Sequence, residues 1–304
     1  MRTSHKEMRR KINAEVSKIT DEELFSSAAF AAYLTDIAEA VTKRYKRKLR
    51  VETIYDTSEN VMIACTNNRN ILINTGNYIS WSMPYRKLKA ESILGLVGHE
   101  VGHMLFTNFR ISETYFSELS YGRLYPQMEL SEEEQESFTE VTDYFKTGTE
   151  AQKQAILKAA KLLLNILEDA YIEARICDRY TGRFATGIHL NNIRFTEMMP
   201  SVTEQLTNGC YRFSVFCNLL NQYCRSGDIN NRDGYAGELL DLFYDVLPLV
   251  DDAIYDEDMK RRCYAVNRIL LMVWAYIKEV IEKAEEEENT SETLQKLNKE
   301  IPQM

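Results

Sequence analysis

The chain predicts an α+β fold that is mainly α, and three observations carry that expectation. Twelve Gly and five Pro in 304 residues leave few breaks, which favours long helices over many short strands. The β-type runs are confined to a short region between Val51 and Asn74. The stretch from about 150 to 179, which carries AQKQAILKAAKLLLNILEDAYIEARICDR, reads as one long helix.

Taken in order, residues 4 to 48 read as helical. Thr20 and Glu23 make a capping box ahead of the periodic apolar positions Leu24, Phe30, Leu34, Ile37 and Val41. Val51 to Tyr55, Val61 to Thr66 and Ile71 to Asn74 are β-type, with Asn67-Asn68 as a turn, and together they predict a small antiparallel sheet. A helix from about Tyr85 to Thr107 follows Pro84, burying Leu94, Val97, Val101, Met104 and Leu105. Residues 110 to 150 are acidic and less regular, and Ser131 with Glu134 caps a helix over about 132 to 146. Arg183 to Phe195 reads as a loop. Helices resume near 200 to 224, 236 to 248 and 256 to 285. The expected organisation is an N-terminal helical segment (1–48), a core (49–198) with an insertion at about 110–150, a helical subdomain (199–285) and a charged tail or linker (286–304).

Composition excludes several function classes. A net charge of -9 gains little from counterion release, so a duplex-binding role is not expected, and no nucleic acid is expected as a partner. The basic stretch Lys43 to Arg50 falls at an expected helix end, where cations favour the dipole. No run approaches the about 18 apolar residues of a membrane span, so no membrane partner is expected. The basic start has no apolar signal region, and the chain reads as cytoplasmic. The six cysteines form no C-x-x-C pair and read as buried free thiols, with Cys210, Cys217 and Cys224 spaced by seven along one face.

The chemistry is concentrated in His99-Glu100-Val101-Gly102-His103. On a helix, positions i and i+4 share a face, so His99 and His103 can reach one metal ion. Glu100 is rotated by about 100°, which sets a carboxylate beside the metal rather than on it. Zinc lowers the pKa of a bound water, and such a carboxylate takes its proton during attack on a carbonyl. Gly98 and Gly102 each cost the helix about 1 kcal/mol relative to alanine, a cost that fits a backbone passing close by. With only four histidines in the chain, two at this spacing around a glutamate are a specific signal.

A catalytic zinc takes three protein ligands and keeps one open position. His5 and His189 are weak candidates for the third. Glu168 and Asp169 are better, because two adjacent carboxylates within an apolar helical run need a cation or strong donors. Glu168 is the expected ligand, with Asp169 holding an imidazole or replacing Glu168 on the metal. Glu173 is expected to pair with Arg175 or Arg194. Tyr171, His189 and Arg194 are candidates to stabilise an oxyanion, and His189 is favoured because uncommitted histidines are few.

HEVGHMLFTNF followed by LLNILEDAYIEARI resembles the gluzincin class of zinc metallopeptidases. More narrowly, it resembles metallopeptidase-like proteins of bacteria, phages and mobile elements that precede a von Willebrand factor A domain. That group is related to the cobaltochelatase large subunit and tends to be encoded beside an AAA ATPase. The resemblance spans about residues 60 to 180. It implies a zincin-like core with His99, His103 and Glu168 as zinc ligands, Glu100 as base and an AAA ATPase as a possible partner. The gap from His103 to Glu168 is longer than in compact gluzincins. The D-x-S-x-S metal motif of a von Willebrand A domain is also absent, since Asp56-Thr57-Ser58 runs on as Glu59-Asn60, which places any such domain beyond Met304. The expected function is zinc-dependent hydrolysis of a peptide lying along Ile71 to Asn74. The alternative is a catalytically silent zinc-binding adaptor for the ATPase, separated from a peptidase by whether a peptide library is cleaved.

Overall fold

The computed structural model describes residues 4–45, 48–58 and 61–286, with 284–286 described as backbone only. The expected charged tail therefore lies almost wholly outside the described residues. The chain divides into two compact units, one within Met1–Leu105 and Tyr180–Asn191, the other within Phe106–Arg179 and Asn192–Gln303. The α+β, mainly α expectation holds, with one small sheet among many helices.

In the first unit, the N-terminal helical stretch is three helices rather than one. They are α1 (His5–Val16), α2 (Asp21–Phe25) and α3 (Ala28–Thr42). Each start is fixed by a side chain that takes an orphan backbone N–H: Ser4 from Glu7, Thr20 from Glu23, Ser27 from Phe30. Asp21 then accepts from Arg86 Nε (2.6 Å) and Lys89 Nζ (2.8 Å), while Arg86 also donates to the Val16 and Ile19 carbonyls. These bonds tie the turn before α2 to the first turn of the later helix Arg86–Phe106.

The sheet comprises β1 (Arg50–Ile54), β2 (Ala64–Thr66) and β3 (Asn70–Asn74), in the order β1-β3-β2. It is mixed, not antiparallel. β1 runs parallel to β3, pairing Val51 with Ile71, whereas β2 is antiparallel to it. The β2–β3 turn forms as the Asn pair predicts: Asn68 takes φ +63°, and Asn67 Oδ1 accepts from the N–H groups of Arg69 and Asn70. β3 is the central strand, with both hydrogen-bonding edges used. A peptide cannot add along Ile71–Asn74, and the expected substrate register on that strand is corrected.

After the short α4 (Tyr78–Trp81) comes α5 (Arg86–Phe106), the helix that carries the HExxH sequence. Ser92 to Gly102 is buried without interruption, so α5 is a central helix rather than an amphipathic surface one. Arg183 to Phe195 is not a loop but most of a helix, α9 (Arg183–Met198), whose first half belongs to this unit. Two glycines let it touch α5: a Cβ on Gly95 would stand 2.3 Å from the Gly187 carbonyl carbon. The close backbone approach is therefore at Gly95, and Gly98 instead faces the Phe184 ring, 2.9 Å from where its Cβ would be. Asn191 Nδ2 completes the seam by donating to the Ser92 carbonyl (3.0 Å).

The second unit is helical. Residues 110–150 form α6 (Phe109–Ser120) and α7 (Glu132–Thr147), the latter with the expected Ser131–Glu134 capping box. α8 (Glu150–Arg179) is about 45 Å long and buried nearly all round from Leu162 to Glu173. It packs against α6, α7, α11 (Arg212–Ser226), α12 (Glu238–Tyr255), α13 (Met259–Met272) and α14 (Trp274–Glu286). α10 (Val202–Thr207) precedes α11, so the helices expected at 200–224 and 256–285 are each split in two. Among the described residues no helix is long and apolar enough to cross a membrane.

A Gly95→Ala or Gly187→Ala variant is expected to lose at least about 2 kcal/mol, because a methyl at 2.3 Å from backbone forces the two helices apart. Urea unfolding checks this, with Gly182→Ala, which meets nothing within 4 Å, as the silent control.

Candidate metal centre

In the first unit, α5 brings His99, Glu100 and His103 together as the spacing predicts. The two imidazoles are 4.9 Å apart between ring centres and stand edge to face, so the pair converges on one side of the helix. His99 and Glu100 are buried and His103 is partly so. The sheet approaches the same place. Burial raises the pKa of the Cys65 thiol on β2, and the Glu100 carboxylate raises it further, so Glu100 and the outer strand share an electrostatic neighbourhood.

His189 lies on α9 and is exposed. The contacts with α5 come from Phe184, Gly187 and Asn191, a face from which His189 is turned away by helical rotation. His5 is exposed in α1. Neither stands with the His99–His103 pair.

In the second unit Glu168, Asp169 and Glu173 of α8 are all buried, and each has an arginine. Glu168 Oε2 accepts from Arg262 Nε at 2.6 Å. That guanidinium is itself wholly buried, donates to the Asp256 carbonyl (2.7 Å), and lies 3.9 Å from the centre of the Tyr171 ring. Tyr171 is thus packed under a cation. Glu173 accepts from Arg225 Nη1 (3.1 Å) and Asn192 Nδ2 (2.7 Å), so its expected pairing with Arg175 or Arg194 is corrected. Those arginines pair with Glu257 and Glu197. Arg225 Nη2 also reaches Asp169 Oδ2 at a longer 3.4 Å, and Nε donates to Asn221 Oδ1. Arg225 and Arg262 were missed at the sequence level. They are 56 and 94 residues from the acids they serve, and nothing local marks them.

The arrangement separates the two adjacent acids. Glu168 is closely engaged by Arg262, while Asp169, about 100° further round α8, has a weaker bond to Arg225. All six cysteines are free thiols. Burial pushes Cys224 and Cys263 up to about 12. Cys217 and Cys263 are the buried small hydrophobes expected. Cys65 is exposed and Cys177, Cys210 and Cys224 are only partly buried, which corrects the expectation for those four.

Comparison with family models, with curated proteins and with solved structures gives no match to this chain.

Arg262→Leu is expected to destabilise the helical unit by about 3–5 kcal/mol, since it leaves the Glu168 carboxylate buried without its cation. The double variant Glu168→Leu/Arg262→Leu should recover most of that loss. Denaturant unfolding of the two variants is the check, and equal stabilities would contradict the pairing argument.

Proposed function

We propose that this protein is a zinc-dependent peptidase of gluzincin type, with the ion held by the His99–His103 pair of α5 and by a third ligand that the sequence alone assigns to Glu168 or Asp169. The observation that carries the reading is the buried α5 constellation: two convergent imidazoles with a buried glutamate between them. Two imidazoles and a carboxylate are a donor set of the kind that holds zinc with one position left open. Asp169 is preferred over Glu168 because Glu168 is already committed to Arg262 at 2.6 Å.

When bound, zinc supplies Lewis acidity and lowers the pKa of water toward about 7. Glu100 accepts a proton from the attacking water and returns it to the leaving amine. Burial of Glu100 strengthens its electrostatic action by excluding solvent. The substrate backbone adds to the outer edge of β2, which has no strand partner among the described residues and carries Cys65 within the field of Glu100. An AAA ATPase would then act by presenting or unfolding substrates, a role that rests on the resemblance alone.

Elemental analysis of the purified chain tests the centre. About one zinc per chain is expected, lost in His99→Ala and in Asp169→Asn and retained in Glu168→Gln. Zinc lost in Glu168→Gln but kept in Asp169→Asn would move the third ligand to Glu168. Glu100→Gln should retain the ion and lose at least about 100-fold in hydrolysis of a peptide library. A zinc-loaded wild-type chain that cleaves nothing would replace the peptidase with a silent zinc-binding adaptor.

A further inference from the structure

We propose that the first unit binds single-stranded nucleic acid on a surface formed by Lys43, Tyr45, Lys48 and Arg50, which follow α3, and by Arg69 of the β2–β3 turn. The net charge of -9 conceals an uneven distribution. Residues Met1–Leu105 and Tyr180–Asn191 carry 17 Lys and Arg against 12 Asp and Glu, whereas the rest of the chain carries 20 against 34. A basic unit within an acidic chain attracts polyanions locally, whatever the total charge.

The Lys43–Arg50 stretch begins at the expected helix end, where Lys43 favours the α3 dipole, and its later cations lie beyond that end. α3 ends at Thr42 with no basic residue in its last turn, and Lys43 is the left-handed cap. Among the described cations, Arg44 and Arg50 follow the helix and are tied to the sheet and its turn. Arg44 Nη1 donates to the Asn68 carbonyl (2.5 Å) and Nη2 to the Met104 carbonyl (3.4 Å), which ties Arg44 to the β2–β3 turn. Arg50 then enters β1 opposite Asn70, next to Arg69 of that turn. Lys43, Lys48, Arg50 and Arg69 are all exposed there. Arg50 has Glu52 at 3.5 Å, an exposed pair worth little and readily exchanged for a phosphate.

Tyr45 decides between kinds of polyanion. It sits among these cations and is 54% exposed. Cations with an interleaved exposed aromatic are the combination that binds single strands, phosphates on the cations and a base on the ring. An acidic peptide would use the cations and give the ring no role. A duplex keeps its bases stacked on one another, away from the ring.

The test is fluorescence anisotropy of the full chain with a labelled oligothymidylate of about 20 nucleotides, at about 50 mM and about 200 mM salt. Binding is expected to weaken with salt with a log–log slope near about -3, as four phosphate contacts on a single strand would give. The charge reversal Lys43→Glu/Lys48→Glu/Arg69→Glu should weaken it at least about ten-fold and flatten the slope. Tyr45→Ala should cost about ten-fold with the slope unchanged. None of these residues belongs to the metal centre or the core, so circular dichroism and zinc content serve as controls on folding. No binding at the lower salt overturns the proposal. So does tighter binding of a duplex of equal length. Displacement by poly-glutamate of matched charge, with Tyr45→Ala silent, also overturns it and assigns the surface to acidic proteins.

Discussion

Charge held inside a helical interior is the constraint from which much of this structure follows. Glu168, Asp169 and Glu173 lie on a helix that neighbouring helices enclose, where an ionised carboxylate is costly unless it is paired and hydrogen-bonded. The unit meets that cost with Arg225 and Arg262, both brought in from later helices. Their positions in turn constrain how α11 and α13 dock on α8. A buried guanidinium can satisfy its donors only where the carboxylate and the carbonyls already stand.

The first unit is organised around a different burial problem. α5 has apolar or small residues around most of its girth, so it can only be an internal helix, and its neighbours must come close. Gly95 and Gly187 remove the side chains that would hold α9 away, and Asn191 ties the two backbones together. A helix held this firmly gives His99, Glu100 and His103 a fixed relation, which a metal centre with a neighbouring base requires. The same unit concentrates the positive charge of the chain, in the segment that leads from α3 into β1.

The local chemistry of the sequence was readable because its cause is local. The capping boxes at Thr20 and Ser131, the Asn67-Asn68 turn, α5 and α8 are specified by residues three or four apart, and so is the His99–Glu100–His103 cluster. The mainly helical α+β class followed from the scarcity of breakers. Errors arose where local pattern and tertiary environment diverge. Arg183–Phe195 looked like a loop but is helical, and its single glycine, Gly187, serves a close contact with Gly95 of α5.

Sequence by itself determined α5, α8, the turn and the spacing of His99 and His103, since backbone propensity and helical rotation act within a few residues. Tertiary structure alone decided the strand order, with the parallel β1–β3 pair and β3 at the centre, because register between strands depends on how the whole unit encloses them. It also decided which carboxylate of α8 each arginine takes. Adjacent acids differ by about 100° around a helix, and what lies in each direction is set by residues far away in the chain.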